Sequence, residues 1–358
     1  MRMAQSQTLA EPGRRVAQDL AHIRLWLYGV AALVFLMVSV GGATRLTGSG
    51  LSITEWQPIM GTLPPLSEAD WHEAFAKYRE IPQYQHVNRG MSLEAFKVIF
   101  WWEWTHRFLG RLVGAAFLLP FLYFVLAGHV TRTLAVKLAG IFGLGALQGA
   151  VGWYMVRSGL AARIDVSQYR LALHLGLAIL ILGALLWVAL SLEPGAGSSR
   201  WSADAAGGAL IAALVFVQIL LGALVAGLRA GSGYNTWPLM DGRLVPDGLA
   251  VMQPWYLNLF ENALAVQFNH RVVAYVLLAA AISHAWHLRH RTGDARARGS
   301  AVVLAAAVLA QAALGIWTLL AKVLLALGLA HQAGAAAVFA LAVWHLHNLR
   351  CTAARGGA

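Results

Sequence analysis

Charge is scarce in this chain. Asp, Glu, Lys and Arg make up 12% of its 358 residues, about half of the roughly 25% usual in soluble domains. Acidic residues are the scarcer sign, 16 against 27 Lys and Arg, for a net charge of +11. Hydrophobic residues reach 59%, and mean hydropathy is +0.61. Together these exclude a soluble enzyme and a disordered chain. Cysteine is nearly absent. The single Cys351 excludes an intrachain disulfide and any cysteine-based metal site. A cleavable signal is not expected, because the first apolar run, about 19 residues long, flows into Gly41-Gly42-Ala43-Thr44-Arg45 without a small-residue cleavage site. The mildly basic N-terminus does not read as a mitochondrial transit peptide, so a bacterial inner-membrane protein is expected.

What is present is a set of long apolar runs, near 25–43, 98–127, 134–156, 171–191, 207–228, 265–287, 301–321 and 325–346. Each is long enough to cross a hydrocarbon core with about 20 residues. An all-α membrane protein of eight spans follows. Positive charge collects between the runs: Arg14, Arg15 and Arg24 before the first, Arg132 and Lys137 after the second, Arg289, Arg291, Arg296 and Arg298 after the sixth, and Arg350 and Arg355 at the end. That distribution speaks of topology and anionic lipid rather than nucleic acid, and it puts both termini in the cytoplasm. Arg157, Arg163 and Arg170 on the opposite side blur the rule. Residues 44–97 and 229–263 then face outside. Ser67-Glu68-Ala69-Asp70 reads as a capping box opening a short helix over Trp71–Arg79.

The chain also repeats itself. Gly48-Ser49-Gly50 with Trp56-Gln57-Pro58-Ile59-Met60-Gly61 follows span one, and Gly231-Ser232-Gly233 with Trp237-Pro238-Leu239-Met240-Asp241-Gly242 follows span five. Trp104-Thr105-His106-Arg107 matches Phe268-Asn269-His270-Arg271, and Gln148 and Gly152 match Gln311 and Gly315. The expected organisation is a tail at 1–24, a four-helix half at 25–191, a linker at 192–206, a second four-helix half at 207–346 and a tail at 347–358. Four spans per repeat make the two halves parallel pseudo-symmetric bundles, with matched residues at equal depth.

Of thirteen histidines, nine fall at cytoplasmic ends and turns (His22, His129, His284, His287, His290, His345, His347) or in the outer loop (His72, His86). The other four, His106, His174, His270 and His331, begin spans two, four, six and eight, all in one leaflet. Paired inward histidines clamp a flat ring from both faces, and haem with two axial imidazoles is the commonest such object in a helical bundle. Zinc is the rival, but it prefers a closed set of three or four ligands. Glu103 precedes His106 by one turn, whereas Gln267 holds the matching place beside His270. A carboxylate on one side only suggests a reacting group there, or else an interfacial residue in water. Arg45, Arg107, Arg111, Arg229 and Arg271 lie near the same face and are candidate partners for haem propionates.

The run Gly41–Ser52, with Glu55-Trp56-Gln57-Pro58 and Glu103-Trp104-Thr105-His106-Arg107, resembles haem A synthase, specifically the branch shared by proteobacteria and mitochondria. The resemblance spans roughly residues 20–350. It implies oxidation of the C8 methyl group of haem O to a formyl group, giving haem A for terminal oxidases. It implies haem b as cofactor on His270 and His331, substrate haem O between His106 and His174, and Glu103 as the catalytic glutamate. Homo-oligomers, the farnesyltransferase that makes haem O and oxidase assembly factors are the implied partners. The cysteine pair that some bacterial members carry in their outer loops is missing here. Two other classes stay open: a transmembrane cytochrome b, which stacks haems in both leaflets, and a haem-handling transporter or chaperone, which needs no carboxylate on one side of a pseudo-symmetric pair.

Overall fold

A computed structural model describes residues 10–56, 60–161, 163–193 and 201–355. Gln57, Pro58 and Ile59 of the motif after span one, and residues 194–200 of the 192–206 linker, lie outside these residues. The described residues are helical apart from turns and one isolated bridge, Met240 with Arg243. Eight helices are long and apolar enough to cross a membrane: α1 (Ala10–Leu46), α4 (Leu93–Leu126), α5 (Arg132–Ala161), α6 (Gln168–Ser191), α7 (Ala203–Gly227), α8 (Ala263–Arg291), α9 (Ala295–Leu320) and α10 (Leu325–Arg355). The shortest, 24 residues, rises about 36 Å at 1.5 Å per residue and exceeds a hydrocarbon core of about 30 Å. The helices overrun the expected spans. α1 takes in the second half of the 1–24 tail, and α10 takes in most of the 347–358 tail. Polar sequence beyond the apolar layer keeps its backbone bonds in water as readily as in lipid.

Two short helices, α2 (Glu68–Arg79) and α3 (Pro82–His86), sit in the first long connection. The face carrying the two long connections is the loop face, and the opposite one is the turn face. α2 starts where the sequence places it. Ser67 Oγ accepts from the Asp70 N–H at 3.2 Å, and the Asp70 carboxylate accepts from the Ser67 N–H at 3.0 Å. Trp71 and Tyr78 of α2 pack on Phe96 and Phe100 at the outer end of α4. This gives the first connection its own aromatic core. The second connection, residues 228–262, has only two 3₁₀ turns.

The bundle is centred on α1, α6, α7 and α10, which pack against one another across the junction of the two halves. Their contact is apolar: Leu27 and Val34 of α1, Leu182 and Leu185 of α6, Ile211 and Val215 of α7, and Phe339 and Ala342 of α10 are all buried. Gly183 lets the Phe339 ring close on the α6 backbone, where a methyl would stand 2.9 Å from Phe339 Cε1. Small residues bring membrane helices together in this way when apolar burial alone does not discriminate protein from lipid. α7 to α10 form a closed ring of packed neighbours. In the first half, α4 and α5 barely meet.

Candidate functional site

His106 of α4, His174 of α6, His270 of α8 and His331 of α10 lie toward the loop end of their helices, and each ring is half-buried. The structure groups them as two pairs: His106 lies in the electrostatic field of His174, and His270 in that of His331. Every ring comes close against a glycine of the preceding membrane helix. A methyl on Gly41 would stand 3.1 Å from His106 Nε2, on Gly152 3.0 Å from His174 Cε1, on Gly222 3.2 Å from His270 Cε1, and on Gly315 2.7 Å from His331 Cε1. A methyl would force the His331 ring to shift at Gly315 and would be tight against the other three rings.

Three rings are also held by glutamine. The Gln148 amide donates to the His174 carbonyl at 3.0 Å, Gln218 to the His270 carbonyl at 3.0 Å, and Gln311 to the His331 carbonyl at 2.7 Å. The sequence repeat had paired Gln148/Gly152 with Gln311/Gly315. It missed Gln218/Gly222, although the same spacing, glutamine then glycine one turn later, is written in α7.

Glu103 is buried, 2% exposed, so the solvated interfacial reading does not hold. One carboxylate oxygen accepts from Ser52 Oγ at 2.8 Å and the Ile53 N–H at 2.7 Å. The other accepts from Arg107 at 2.6 and 3.0 Å. Arg107 in turn donates to the carbonyls of Ile53 and Glu55. The two side chains, one turn apart, pin the chain where it leaves span one. α8 repeats the device without the charge: Gln267 donates to the Ala230 carbonyl at 2.8 Å and accepts from Arg271 at 3.0 Å, and Arg271 donates to the Tyr234 carbonyl at 3.0 Å.

The five arginines divide. Arg107 is committed to Glu103 and its loop. Arg45 and Arg229 converge on Asp165 at 3.5 and 2.9 Å, and Arg45 also donates to the Ala226 carbonyl. This tie joins the two halves at the loop face. Arg271 keeps Nε and one terminal nitrogen buried and without a hydrogen-bond partner, beside His270. Arg111, one turn beyond Arg107 on α4, lies deeper in the span.

One further histidine pair was not expected. His284 and His345 lie about four turns beyond His270 and His331 on the same two helices. His345 is fully buried. Its Nε2 meets His284 Nε2 at 3.0 Å, and its Nδ1 meets Ser300 Oγ at 2.8 Å. Leu288, Ala297, Ala301 and Leu349 close around this end of the ring of helices. An iron between two imidazoles, with metal–nitrogen bonds of about 2 Å each, does not fit such a contact. The spacing that puts a haem in each leaflet is present, but the second place is packed shut. This removes the structural basis for a two-leaflet cytochrome.

The loop-face site fits haem better than a bare ion. Among the described residues no group of three or more His, Cys, Asp or Glu side chains is placed to hold a metal ion. Buried donors lie unspent at the rings: His174 Nδ1 itself, and Arg271 Nε next to His270 in sequence. The glycine platforms give a ring-on-backbone approach.

Fold and site together define a polytopic helical membrane protein with two inward histidine pairs near one face. Residues 24–343 match the COX15-CtaA family of cytochrome oxidase assembly proteins, and the chain belongs to that family. It is 57% identical to a haem A synthase of Parvibaculum lavamentivorans over 91% of this chain and 94% of the relative. It is 54% identical to one of Rhodopseudomonas palustris over 94% of each chain. With one of Nitrosospira multiformis it shares 51% identity over 98% of this chain and 99% of the relative.

Proposed function

We infer that this chain is a haem A synthase, an oxidoreductase that converts a methyl group of haem O to a formyl group. Identity above half to haem A synthases over nearly the whole of both chains carries this conclusion. We further propose how the work is divided. The first half, residues 25–191, takes substrate haem O between His106 and His174. The second half, residues 207–346, takes haem b between His270 and His331, and when bound that haem supplies an electron-carrying centre. The loop face lies outside the bacterial inner membrane and both termini lie in the cytoplasm. The farnesyltransferase that makes haem O is the natural source of substrate.

Conversion of the methyl to a formyl group takes up one water oxygen and gives up four electrons and four protons to an external electron acceptor. It passes through a hydroxymethyl carbon and a hydrated aldehyde that loses water, and positive charge develops at that carbon as electrons leave it. Glu103, one turn from His106, places a fixed negative charge beside it. The carboxylate has both oxygens engaged by Ser52, Ile53 and Arg107. Its role is therefore electrostatic and orienting, rather than that of a proton acceptor. The matching clamp in α8 does the same mechanical work with an amide, so the fold does not require the charge.

The test has two parts. Haem extraction and mass analysis of purified protein should find haem O or haem A beside haem B. Glu103→Gln should lower haem A output by roughly 10²–10³-fold, the usual size of such an electrostatic contribution. Haem O or its hydroxylated form should accumulate, while the melting temperature and the spectrum of the second-half haem stay normal. Glu103→Asp should restore part of the output. Normal haem A from Glu103→Gln would reduce Glu103 to a loop anchor.

A further inference from the structure

The four rings are not held alike. In α5, α7 and α9 the glutamine that backs a histidine sits one turn before the glycine beneath it. Its Nε2 lies 3.4 Å from Nε2 of His174, 3.1 Å from Nδ1 and 3.3 Å from Nε2 of His270, and 3.0 Å from Nδ1 of His331. Oε1 of Gln148 and of Gln218 is buried without a partner. The same Nε2 donates to the backbone carbonyl of the histidine it backs, which fixes the amide with its nitrogen toward the ring. A ring nitrogen backed this way fixes the imidazole and strengthens the other nitrogen as a ligand.

α1 breaks the pattern. Gly41 lies under His106 as the other glycines lie under their rings, but one turn before it stands Met37. The Met37 methyl lies against Gly110, one turn along α4 from His106, where a Cβ would be 3.5 Å away. No glutamine occurs between Asp19 and Leu46. A thioether donates nothing and accepts weakly. The helix bearing His106 is also the one with the loosest neighbour, since α4 and α5 barely meet while α8 and α9 pack closely.

We propose that Met37 makes His106 the releasable ligand. A haem in the first half is held firmly from the His174 side and loosely from the His106 side, so it enters and leaves between α4 and α5. A haem in the second half, fixed by glutamine on both sides, stays. Met37 is a positioning residue acting through His106. The proposal rests on the haem assignment above and adds to it the reason why one site exchanges and the other retains.

Full-length protein in nanodiscs, loaded with haem O, is mixed with excess apomyoglobin, and haem loss is followed optically. Wild type should lose haem in a fast phase, abolished by His106→Ala and by His174→Ala, and a slow phase. Met37→Gln should slow the fast phase by about 10–100-fold, the usual range for a hydrogen bond to a metal-bound histidine. Met37→Leu should leave it unchanged. Gln218→Met, which removes an amide and adds no polar group, should speed the slow phase by a similar factor and keeps the proposal testable if Met37→Gln does not fold. A fast phase that depends on His106 but is indifferent to Met37→Gln, or a slow phase unmoved by Gln218→Met, overturns the role of Met37 alone. Haem release unaffected by both His106→Ala and His174→Ala overturns the assignment of the first site, and this proposal with it.

Discussion

In α4 a glutamate and an arginine one turn apart hold the connection that follows span one. In α8 a glutamine and an arginine hold the connection that follows span five. Both arginines donate to loop carbonyls, but Glu103 accepts from the Ser52 hydroxyl and the Ile53 N–H, whereas Gln267 donates to the Ala230 carbonyl. An uncharged amide therefore suffices to anchor a loop at this depth, and a buried carboxylate is expensive near lipid, which is what motivates the role proposed for Glu103 beyond anchoring. The same contrast runs through the two halves. The first has an aromatic helical cap, an open seam between α4 and α5, and a histidine without its glutamine. The second has a plain connection, a closed ring of helices and two backed histidines. Where the halves agree, the bundle needs the residues for folding and for ring binding. Where they differ, the proposed division of work fits the first half to turn over substrate and the second to hold its haem.

The comparison breaks most sharply at the rings. His270→Ala and His331→Ala should each abolish the low-spin, bis-imidazole spectrum of purified protein, whereas His106→Ala should leave it intact. Optical and electron paramagnetic resonance spectra check this. An unchanged low-spin signal in both second-half mutants would put the retained haem elsewhere.

The glycine platforms sharpen the comparison with a smaller effect. Gly315→Ala brings a methyl within 2.7 Å of the His331 ring, while Gly222→Ala brings one only to 3.2 Å of His270. Haem content per protein should fall about 10–100-fold in affinity for Gly315→Ala, and less for Gly222→Ala. Equal retention by the two variants would mean that the rings move freely and the platforms do not set their positions.

The smallest effect concerns the cap that only the first half has. The Ser67 backbone N–H, with further bonds from the Ser67 side chain and the Leu66 N–H, holds the Asp70 carboxyl below the usual carboxylate range. Because the folded value lies below the unfolded one, this stabilisation is complete above about pH 4 and is lost as pH falls through the folded value. Amide protection factors over residues 68–79, corrected for the intrinsic pH dependence of exchange, should fall on acidification below about pH 4 in wild type and lose that dependence in Asp70→Asn. Protection in residues 228–262 should not respond to the same change.

Much was legible before any coordinates. Long apolar runs dictate helices, because lipid offers the backbone no other partners, so the eight spans, the capping box at Ser67 and the four repeated histidines follow from pattern. The Glu103/Gln267 difference is equally visible. What each residue touches was not. Glu103 reads as solvated or reactive in one dimension, and only the fold shows Ser52, Ile53 and Arg107 closing around it. Arg45 and Arg229 read as candidate propionate partners, and only the fold shows that Asp165, far from both in sequence, lies between them. His284 and His345 read as ends of helices that meet water, and they form a buried contact because α10 and α8 run on past the apolar layer and close together there. Periodicity and composition determine which segments enter the membrane and at what depth a residue sits. Which side chains meet across that depth depends on helix rotation and neighbour choice. Those are set by small residues and glycine contacts between segments hundreds of positions apart, which no local pattern encodes.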